Sequence, residues 1–433
     1  MIATAVLGLS VTAAKADIYW DSNVADWEAA DSWQGREVPT AESVVHIGHY
    51  GLAHVQSAIV AEKVYIGTSG SSSGTLRIGP SGSLIATSIA IGAGGSEGTL
   101  LVDGGKVKVL SRLALAPEKN AVGIIRVLNG GRLNVAGNLT ITPKFGIGKL
   151  LINKGEVKTN GVVISGSYHN KAKDSLYITT DGVLDTNFIQ YGFVDAGTAT
   201  IHLDGGRIET GSINGLYGKQ SLHINGGTIR AKDKAEENLI SGFHDGFLVV
   251  NIKGGTIDTN GCQLALVSPF QGRGGLDILS SKGNGILKLQ SVQKYTGLTY
   301  IGKNVTVRQE VTGSLNRQAN VGVDSGGIFD LGGHDGAING LFGEANSKII
   351  NSSPLKVVAK AAKSSGRGEK KGEMRERQLD SPSENIMEAA DLTVGSANGH
   401  GIFAGDIVEE NGGGRISLTK VGVGEQHLLG KNT

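Results

Sequence analysis

The residues best suited to chemistry in this sequence are a histidine flanked by glycines and a cluster of three histidines. Gly399-His400-Gly401 is followed by Arg415-Ile416, an imidazole and a guanidinium that suit acid–base and electrostatic roles. Glycosidic hydrolysis requires two positioned carboxylates, and neither an Asp-Asp pair nor an Asn-Thr-Asp motif accompanies them. His46, His49 and His54 lack the acidic or cysteine neighbours of a metal site. We therefore predict no catalytic and no metal-binding residue.

The remaining candidate motifs also favour structural roles. The glycine-rich stretch at residues 92–98 is neither a P-loop nor a dinucleotide fingerprint, and no helix follows it. The chain has no Gly-x-Ser-x-Gly nucleophile elbow. Cys262 is the single cysteine, and its Cys-x-Leu-x-Leu context predicts a buried apolar residue rather than a free thiol. No cofactor is predicted.

The composition indicates an all-β protein. Glycine accounts for 68 of 433 residues, but only 7 prolines are present and glycine shows no three-residue period, which excludes collagen. With 39% hydrophobic and 19% charged residues, the chain is not expected to be disordered. Each glycine in a helix costs about 1 kcal/mol relative to alanine, so a mostly helical fold is disfavoured. The composition therefore predicts strands joined by tight turns.

Charge and hydropathy exclude several classes of partner. There are 41 Lys and Arg against 40 Asp and Glu, a net charge of +1, so no domain-wide basic surface for nucleic acid is predicted. Aromatic residues make up 5%, too few for a stacking platform on single strands. No apolar stretch reaches the length of a membrane helix, so no transmembrane span is expected. We predict a monomer.

The N-terminus resembles an export signal. Residues 2–14 form a short apolar run, and Ala14-Lys15-Ala16 fits a cleavage site before Asp17. We therefore predict a signal peptide at residues 1–16. The positively charged region that usually precedes the apolar run is missing, so an upstream start codon and a buried strand stay open as alternatives.

An internal repeat predicts the architecture. Short strands with alternating apolar residues lead into a Gly or Gly-Gly turn and then into a second strand, eight times in succession. The last glycines of these turns are Gly82, Gly105, Gly131, Gly155, Gly182, Gly206, Gly227 and Gly255. Their mean spacing of about 25 residues matches one coil of a parallel β-solenoid. Residues that tolerate positive φ are expected at these corners.

An array of antiparallel hairpins is the alternative, because Asn-Gly and Asp-Gly are also hairpin turns. Such an array predicts turns of equal strength at intervals of roughly 8–12 residues. One strong turn per coil favours the solenoid instead.

The C-terminal third resembles a known family. Residues 285–307 contain a strand, the turn Tyr295-Thr296-Gly297 and a second strand, and residues 327–341 have the Asp-Leu-Gly-Gly unit that follows. Residues 392–403 and 417–424 are similar to the start of a further repeat. This pattern resembles the autotransporter-associated β-strand repeat over residues 271–433, and more weakly over 51–270. The resemblance implies an exported bacterial passenger with a right-handed parallel β-helix.

The predicted architecture is a single elongated domain with a charged surface insertion. Trp20, Trp27 and Trp33 lie in a segment similar to the first coil of such passengers, and they are expected in a cap or core rather than in a carbohydrate-stacking patch. The predicted divisions are a signal peptide at 1–16, a cap at 17–50, solenoid coils at 51–270, the family repeat at 271–355, a charged loop at 356–391 and an incomplete repeat at 392–433.

The charged insertion departs from the family pattern. Ser381-Pro382-Ser383-Glu384 is a capping-box sequence with proline at the first helical position, which predicts a short helix up to about Ala390. The basic stretch at residues 363–377 suits an anionic polymer, although a solvated loop is favoured. At residue 433 the family would continue with Tyr-Thr-Gly, so the chain is expected to be truncated or to be an incomplete gene product.

These observations predict an exported, non-catalytic, passenger-like protein of adhesion or cell-surface structure, with a host or cell-surface glycan or protein as its partner. The alternative is a glycan-active β-helix enzyme, either a polysaccharide lyase or a hydrolase. A cleft lined by Asp, Arg or Lys on one strand face would favour that enzyme.

Overall fold

A computed structural model describes most of the chain. The described residues are 17–68, 72–141, 146–164, 173–191, 198–215, 219–243, 247–353, 356–359, 383–386, 389–409 and 413–432. The predicted signal peptide and residues 360–382 of the charged insertion therefore lie outside the described residues. The chain forms two compact units. Unit one is Met1–Ala235 with Ser241–Leu248, and unit two is Glu236–Ile240 with Val249–Thr433.

Both units are all-β, and together they contain about 14 turns of a parallel β-solenoid. The helical residues among those described are three short 3₁₀ segments, Ala30–Ser32, Gln34–Arg36 and Ala93–Gly95. The solenoid fold is confirmed. The hairpin array is excluded because neighbouring coils pair in parallel.

Unit one alternates between strands of two parallel sheets, named sheet I and sheet II. The strands of sheet I are β2 (Val24–Asp26), β4 (Gly51–Val55), β6 (Gly74–Ile78), β8 (Glu97–Asp103), β10 (Val122–Leu128), β12 (Ile147–Asn153), β14 (Lys173–Thr179), β16 (Thr198–Asp204) and β19 (Lys219–Ile224). The strands of sheet II are β1 (Asp17–Tyr19), β3 (Val44–Ile47), β5 (Ala58–Ile66), β7 (Ser83–Ile91), β9 (Lys106–Leu115), β11 (Arg132–Ile141), β13 (Glu156–Ile164), β15 (Val183–Tyr191), β17 (Arg207–Thr210), β18 (Ile213–Gly215) and β20 (Thr228–Ala231). The chain passes between the units at β21 (Ile240–Ser241) and β22 (Phe247–Val250).

Unit two contains shorter strands in a similar parallel arrangement. Its principal strands are β23 (Gly255–Asp258), β24 (Gln263–Leu266), β26 (Leu276–Leu279), β27 (Gly285–Leu289), β29 (Thr299–Ile301), β30 (Val305–Gln309), β31 (Val321–Val323), β32 (Ile328–Asp330), β34 (Leu341–Gly343), β35 (Lys348–Ile350), β39 (Gly401–Phe403), β40 (Asp406–Ile407) and β42 (Gln426–Leu428). β25 (Phe270–Gly272) pairs in parallel with β28 (Lys294–Tyr295). Two smaller sheets are the trio β33 (Gly336–Ile338), β38 (Ala390–Val394) and β41 (Ile416–Lys420), and the pair β36 (Lys356–Ala359) and β37 (Ser383–Ile386).

The core of unit one consists of columns of apolar side chains stacked coil on coil. One column of sheet I contributes a single side chain from each successive strand, in agreement with the repeat in the sequence. Its members are Leu76, Leu100, Ile125, Leu150, Leu176, Ile201 and Leu222, all fully buried. Each such side chain contributes about 1.5–3 kcal/mol on burial, so the repeated apolar position holds neighbouring coils together.

The two glycines of a Gly-Gly corner are required for different structural reasons. Gly130 has φ +82°, whereas its neighbour Gly131 does not have a positive φ. A Cβ at Gly131 would lie 2.4 Å from the Val102 carbonyl oxygen of the preceding coil. The last glycine of the turn is therefore required for close approach between coils. Positive φ falls on the residue before it.

The Tyr-Thr-Gly turn is also structural. Tyr295 is buried, its hydroxyl lies 2.6 Å from the Thr299 Oγ1, and burial raises its pKa to about 12. A Cβ at Gly297 would lie 2.4 Å from the Gly275 nitrogen. The motif that carries the family resemblance thus serves to pack one coil against the next.

The three tryptophans form a buried cluster in unit one. Trp20 and Trp27 each pack edge-on against Trp33, with ring centroids 4.8 Å apart in both pairs. All three are almost fully buried, and the Trp33 Nε1 donates a hydrogen bond to the Trp27 carbonyl at 2.7 Å. The expectation of core packing is confirmed, because buried rings offer no face to a sugar.

The predicted helix after Ser381 is wrong where the structure describes it. Ser383–Ile386 forms β37, which pairs antiparallel with β36. The partner strand is Lys-Val-Val-Ala, whose β-branched residues favour extended backbone. Pairing with that strand satisfies backbone groups that an isolated helical turn leaves unbonded.

Candidate functional site

The Gly-His-Gly motif is a coil contact in unit two. A Cβ at Gly401 would lie 2.2 Å from the Leu341 carbonyl oxygen, and one at Gly399 would lie 2.5 Å from the Asn339 Cγ. His400 is exposed, and its Nδ1 accepts a hydrogen bond from the Glu425 backbone N–H at 3.2 Å. The glycines are explained by packing, and the imidazole binds a neighbouring backbone group.

The N-terminal histidines do not converge on one site. His46 is on β3 of sheet II and His54 is on β4 of sheet I. His46 stacks between Tyr19 and Tyr65, with ring centroids 4.5 and 5.0 Å away. Burial lowers the His46 pKa, although nearby Asp17 opposes that shift. His49 lies in a turn with φ +54°.

The other two candidate motifs also belong to the framework. A Cβ at Gly98 would lie 2.1 Å from the Ile66 carbonyl oxygen, so the 92–98 stretch is a tight corner. Cys262 is half-buried rather than buried as predicted, because it lies in the turn before β24. Its carbonyl accepts the Ile286 N–H at 3.0 Å.

A row of stacked aromatic rings runs along sheet I of unit one, a feature missed by sequence reasoning. Tyr177, His202 and His223 are in register on β14, β16 and β19. Ring centroids are 4.6 Å apart for Tyr177–His202 and 5.4 Å apart for His202–His223. Partial burial lowers the pKa of both histidines, and Asp204 opposes that shift. Because the rings cover one another, they present edges rather than faces to solvent.

Unit two contains an open groove of about 490 Å³ beside the corners that precede β24, β27, β30 and β32. Its floor includes Ile286, Thr306 and Ile328, which are in register across three strands. Every lining side chain is uncharged. The lining residues are Gly261, Gln263, Asn284, Gly285, Ile286, Asn304, Val305, Thr306, Gly326 and Ile328. Amides, a hydroxyl and an apolar floor suit a neutral, hydroxyl-bearing ligand.

A charged row lies beside the groove, two residues further along the same strands. Lys288, Arg308 and Asp330 are in register on β27, β30 and β32. The Arg308 Nε lies 3.3 Å from a Glu310 carboxylate oxygen and 3.7 Å from one of Asp330. Lys288 pairs with Glu237 at 2.7 Å. Opposite charges therefore neutralise much of this row.

Two buried aspartates hold corners of unit two. The Asp330 Oδ1 accepts backbone N–H groups of Gly332 and Ser352, each at 2.9 Å, and its Oδ2 accepts the Ser352 hydroxyl. The Asp258 Oδ1 likewise accepts the N–H groups of Asn260 and Ser281 at 2.9 Å. In each corner, one carboxylate joins its own turn to the following coil. The Asp of the family-like Asp-Leu-Gly-Gly unit therefore has a structural role.

One tyrosine of unit two is surrounded by carboxylates. Desolvation and a hydrogen bond with Asp324 raise the Tyr300 pKa to about 12, and Glu344 and Asp277 contribute in the same direction. Asp277 is in register with Tyr300, and desolvation raises its pKa. The phenol stays protonated at neutral pH and acts as a hydrogen-bond donor.

Within the described residues, no helix is long and apolar enough to cross a membrane. No group of three or more His, Cys, Asp or Glu side chains there is arranged to hold a metal ion. No known protein-family model matches the chain, and no curated protein matches it at a significant level.

Proposed function

We propose that this protein is an exported, non-catalytic β-solenoid that functions in adhesion or cell-surface structure. The observation that carries the proposal is the repetition of polar side chains on the outward side of successive coils. A surface of this kind offers the same chemistry several times, which suits many weak contacts acting together.

The clearest such repetition lies on sheet II of unit one. Amide groups of Asn138, Asn160 and Asn187 form a chain of hydrogen bonds of 3.0 and 3.1 Å across three coils. Lys158 and Lys232 both contact the Asp185 carboxylate, at 3.0 and 2.6 Å. Polar groups in these rows are fixed by one another, so the surface is organised before any partner binds.

Export is tested by expressing the complete chain in a Gram-negative host and sequencing the product outside the cytoplasm. We expect cleavage before Asp17, because Ala14 and Ala16 are small residues in a signal-peptidase pattern. The variant Ala14→Lys/Ala16→Lys should remain unprocessed. A product that stays in the cytoplasm uncleaved, even when Met-Lys-Lys is placed before Ile2 to supply the positively charged region, would contradict export.

Adhesion is tested with beads coated with the purified chain and beads coated with albumin. Retention of the first beads on cell surfaces, with release of the albumin beads under the same flow, is the expected result. Equal retention of both would argue against an adhesive role.

A glycan-active enzyme is the second candidate, favoured by the groove beside the row of Lys288, Arg308 and Asp330. A neutral polar groove suits the binding of a sugar polymer, and the Arg308 guanidinium beside it supplies positive charge for an acidic sugar. Incubation with a panel of polysaccharides, followed by assays for new reducing ends and unsaturated products, tests it. Turnover that Arg308→Gln abolishes would support the enzyme, and no turnover on any polymer would remove it.

A further inference from the structure

Positive charge is concentrated in one part of unit one. Residues 104–172 contain eleven Lys and Arg but only two acidic residues, although the whole chain has a net charge of +1. The described part of this segment includes the strands β9 to β13. The excess therefore belongs to a few adjacent coils.

Several of these cations share one surface of sheet II. Lys106 on β9 is in register with Arg132 on β11. Lys108 on β9 is in register with Asn134 on β11, which is in register with Lys158 on β13. Adjacent strands are about 4.8 Å apart, so the charges form a closely spaced array. We name Lys106, Lys108, Arg112, Arg132 and Lys158 the cationic face. All five are exposed.

Most of the cationic face lacks neutralising partners. Lys106, Lys108 and Arg112 form no ion pair with any residue that the structure describes. The Arg132 Nε lies 3.6 Å from a carboxylate oxygen of the partly exposed Glu156, its neighbour in register on β13. Repulsion among these exposed, unpaired cations raises the electrostatic free energy of the unbound protein. Binding of an anion relieves that repulsion.

Later strands of the same sheet are different, because each carboxylate there contacts two cations. Glu209 lies 2.8 Å from Arg207 and 3.7 Å from Arg230. Asp185 contacts both Lys158 and Lys232. Charge balance is thus maintained on β15 to β20 and absent on β9.

We infer that the cationic face binds an anionic polysaccharide whose repeating units carry carboxylate or sulfate groups. Repeated cations match repeated anions on a polymer, and the amides of Asn134 and Asn138 between them suit sugar hydroxyls. β9, β11 and β13 contain no aromatic residue, whereas single-stranded nucleic acids are held largely by base stacking. The choice of a polysaccharide rests on the proposed function, since export brings the face to extracellular glycans.

Binding is measured by calorimetry with the purified complete chain at low and at physiological salt. Heparin supplies sulfate and carboxylate groups, polygalacturonate supplies carboxylate alone, dextran is the neutral control and duplex DNA is the competing polyanion. We expect heparin or polygalacturonate to bind and dextran not to bind, with affinity falling as salt screens the charges. Comparison of the two acidic polymers identifies which anion is preferred.

A pair of matched triple variants locates the site. Lys106→Gln/Lys108→Gln/Arg132→Gln removes three charges from the cationic face and should weaken binding about tenfold. Arg126→Gln/Lys149→Gln/Lys154→Gln removes the same charge from sheet I and a corner of the same coils, and should change affinity by no more than about twofold. Circular dichroism and thermal melting confirm that both variants are folded.

Three results would overturn the inference. These are no binding of either acidic polymer, equal weakening by the two variants, or tighter binding of duplex DNA than of both polysaccharides at the same salt. Because the assay uses purified protein, it is independent of the export test. A chain that is not exported but binds through this face would refute the proposed function alone.

Discussion

Asp330 shows how a single side chain joins two coils of unit two. The residue is 2% exposed, and its carboxylate accepts backbone hydrogen bonds from Gly332 in its own turn and from Ser352 in the next coil. Hydrogen bonds to a charged acceptor are stronger than those between neutral groups. Removing the acceptor also leaves buried donors without partners, which is the costly part of such a substitution.

Asp330→Ala should therefore lower the free energy of unfolding by about 2–4 kcal/mol. Glu425→Ala in the same unit is the control, because that carboxylate is exposed and lies 3.5 Å from the exposed His427, and it should change stability by less than about 0.5 kcal/mol. Urea denaturation followed by circular dichroism measures both. Equal small effects would show that the corner does not depend on this carboxylate.

The stacked histidines should make stability depend on pH. Burial lowers the pKa of His202 and His223 below the value of the unfolded chain, so the folded state binds fewer protons than the unfolded state. The stability that this pair contributes is fully present at pH values above the histidine pKa of the unfolded chain. It falls as the pH drops through about 6.5 and levels off below the folded pKa.

The variant His202→Phe/His223→Phe keeps stacked rings but removes the titrating groups. Its melting temperature should fall less between pH 7.5 and 5 than that of the unmodified protein. These two pH values lie at least about one unit above and below the ordinary histidine pKa of about 6.5. His427→Phe, at an exposed histidine of unit two that lies outside this stack, is the control substitution. Identical pH profiles for all three proteins would exclude the stacked pair as a source of acid sensitivity.

At the level of the element, the corner between β10 and β11 separates two uses of glycine. Gly130 adopts φ +82° in open space, whereas Gly131 faces the Val102 carbonyl oxygen of the preceding coil. A side chain at the first position strains only the local backbone. At the second position, where φ is not positive, a side chain instead forces two coils apart.

Gly131→Ala should destabilise the protein by about 2–4 kcal/mol, because the neighbour that must move is backbone. Gly130→Ala should cost only about 1–2 kcal/mol, the strain of a left-handed alanine. Thermal melting of the two variants measures the difference. A larger loss for Gly130→Ala would mean that backbone conformation, rather than coil contact, limits this corner.

The segment around β37 shows where local sequence signals fail. Ser383 and Glu384 lie in a capping-box pattern, yet they form a strand paired with β36. A capping box stabilises a helix only when enough helix follows to repay the cost of nucleation. Here a partner strand supplies backbone hydrogen bonds instead, and nothing in the local sequence identifies that partner.

Across the complete chain, overall charge conceals a local imbalance. The net charge of +1 favours no charged partner, but eleven of the 41 Lys and Arg residues fall between residues 104 and 172. Counting Lys, Arg, Asp and Glu in successive windows of the sequence finds this concentration. Only the parallel register shows that Lys106, Lys108, Arg132 and Lys158 occupy one surface and that Lys106 and Lys108 lack partners.

The groove and the charged row beside it were likewise out of reach of sequence reasoning. Ile286, Thr306 and Ile328 belong to successive coils and lie 20 and 22 residues apart, but the corners before them differ in sequence, so no repeated turn marks their register. The solenoid of unit one was easier to predict because each of its coils is marked by a corner glycine.

The amino-acid repeat is sufficient to predict the all-β solenoid, its corners and the buried column from Leu76 to Leu222, because a repeated apolar position and a glycine per coil leave few other ways to bury a core. The repeat does not predict which polar residues contact one another. Parallel stacking brings side chains of adjacent coils into contact, and the partners depend on the register of each coil. For that reason only the folded chain shows that Gly131 faces Val102, that Asp330 binds Ser352 and that the cationic face lies on sheet II.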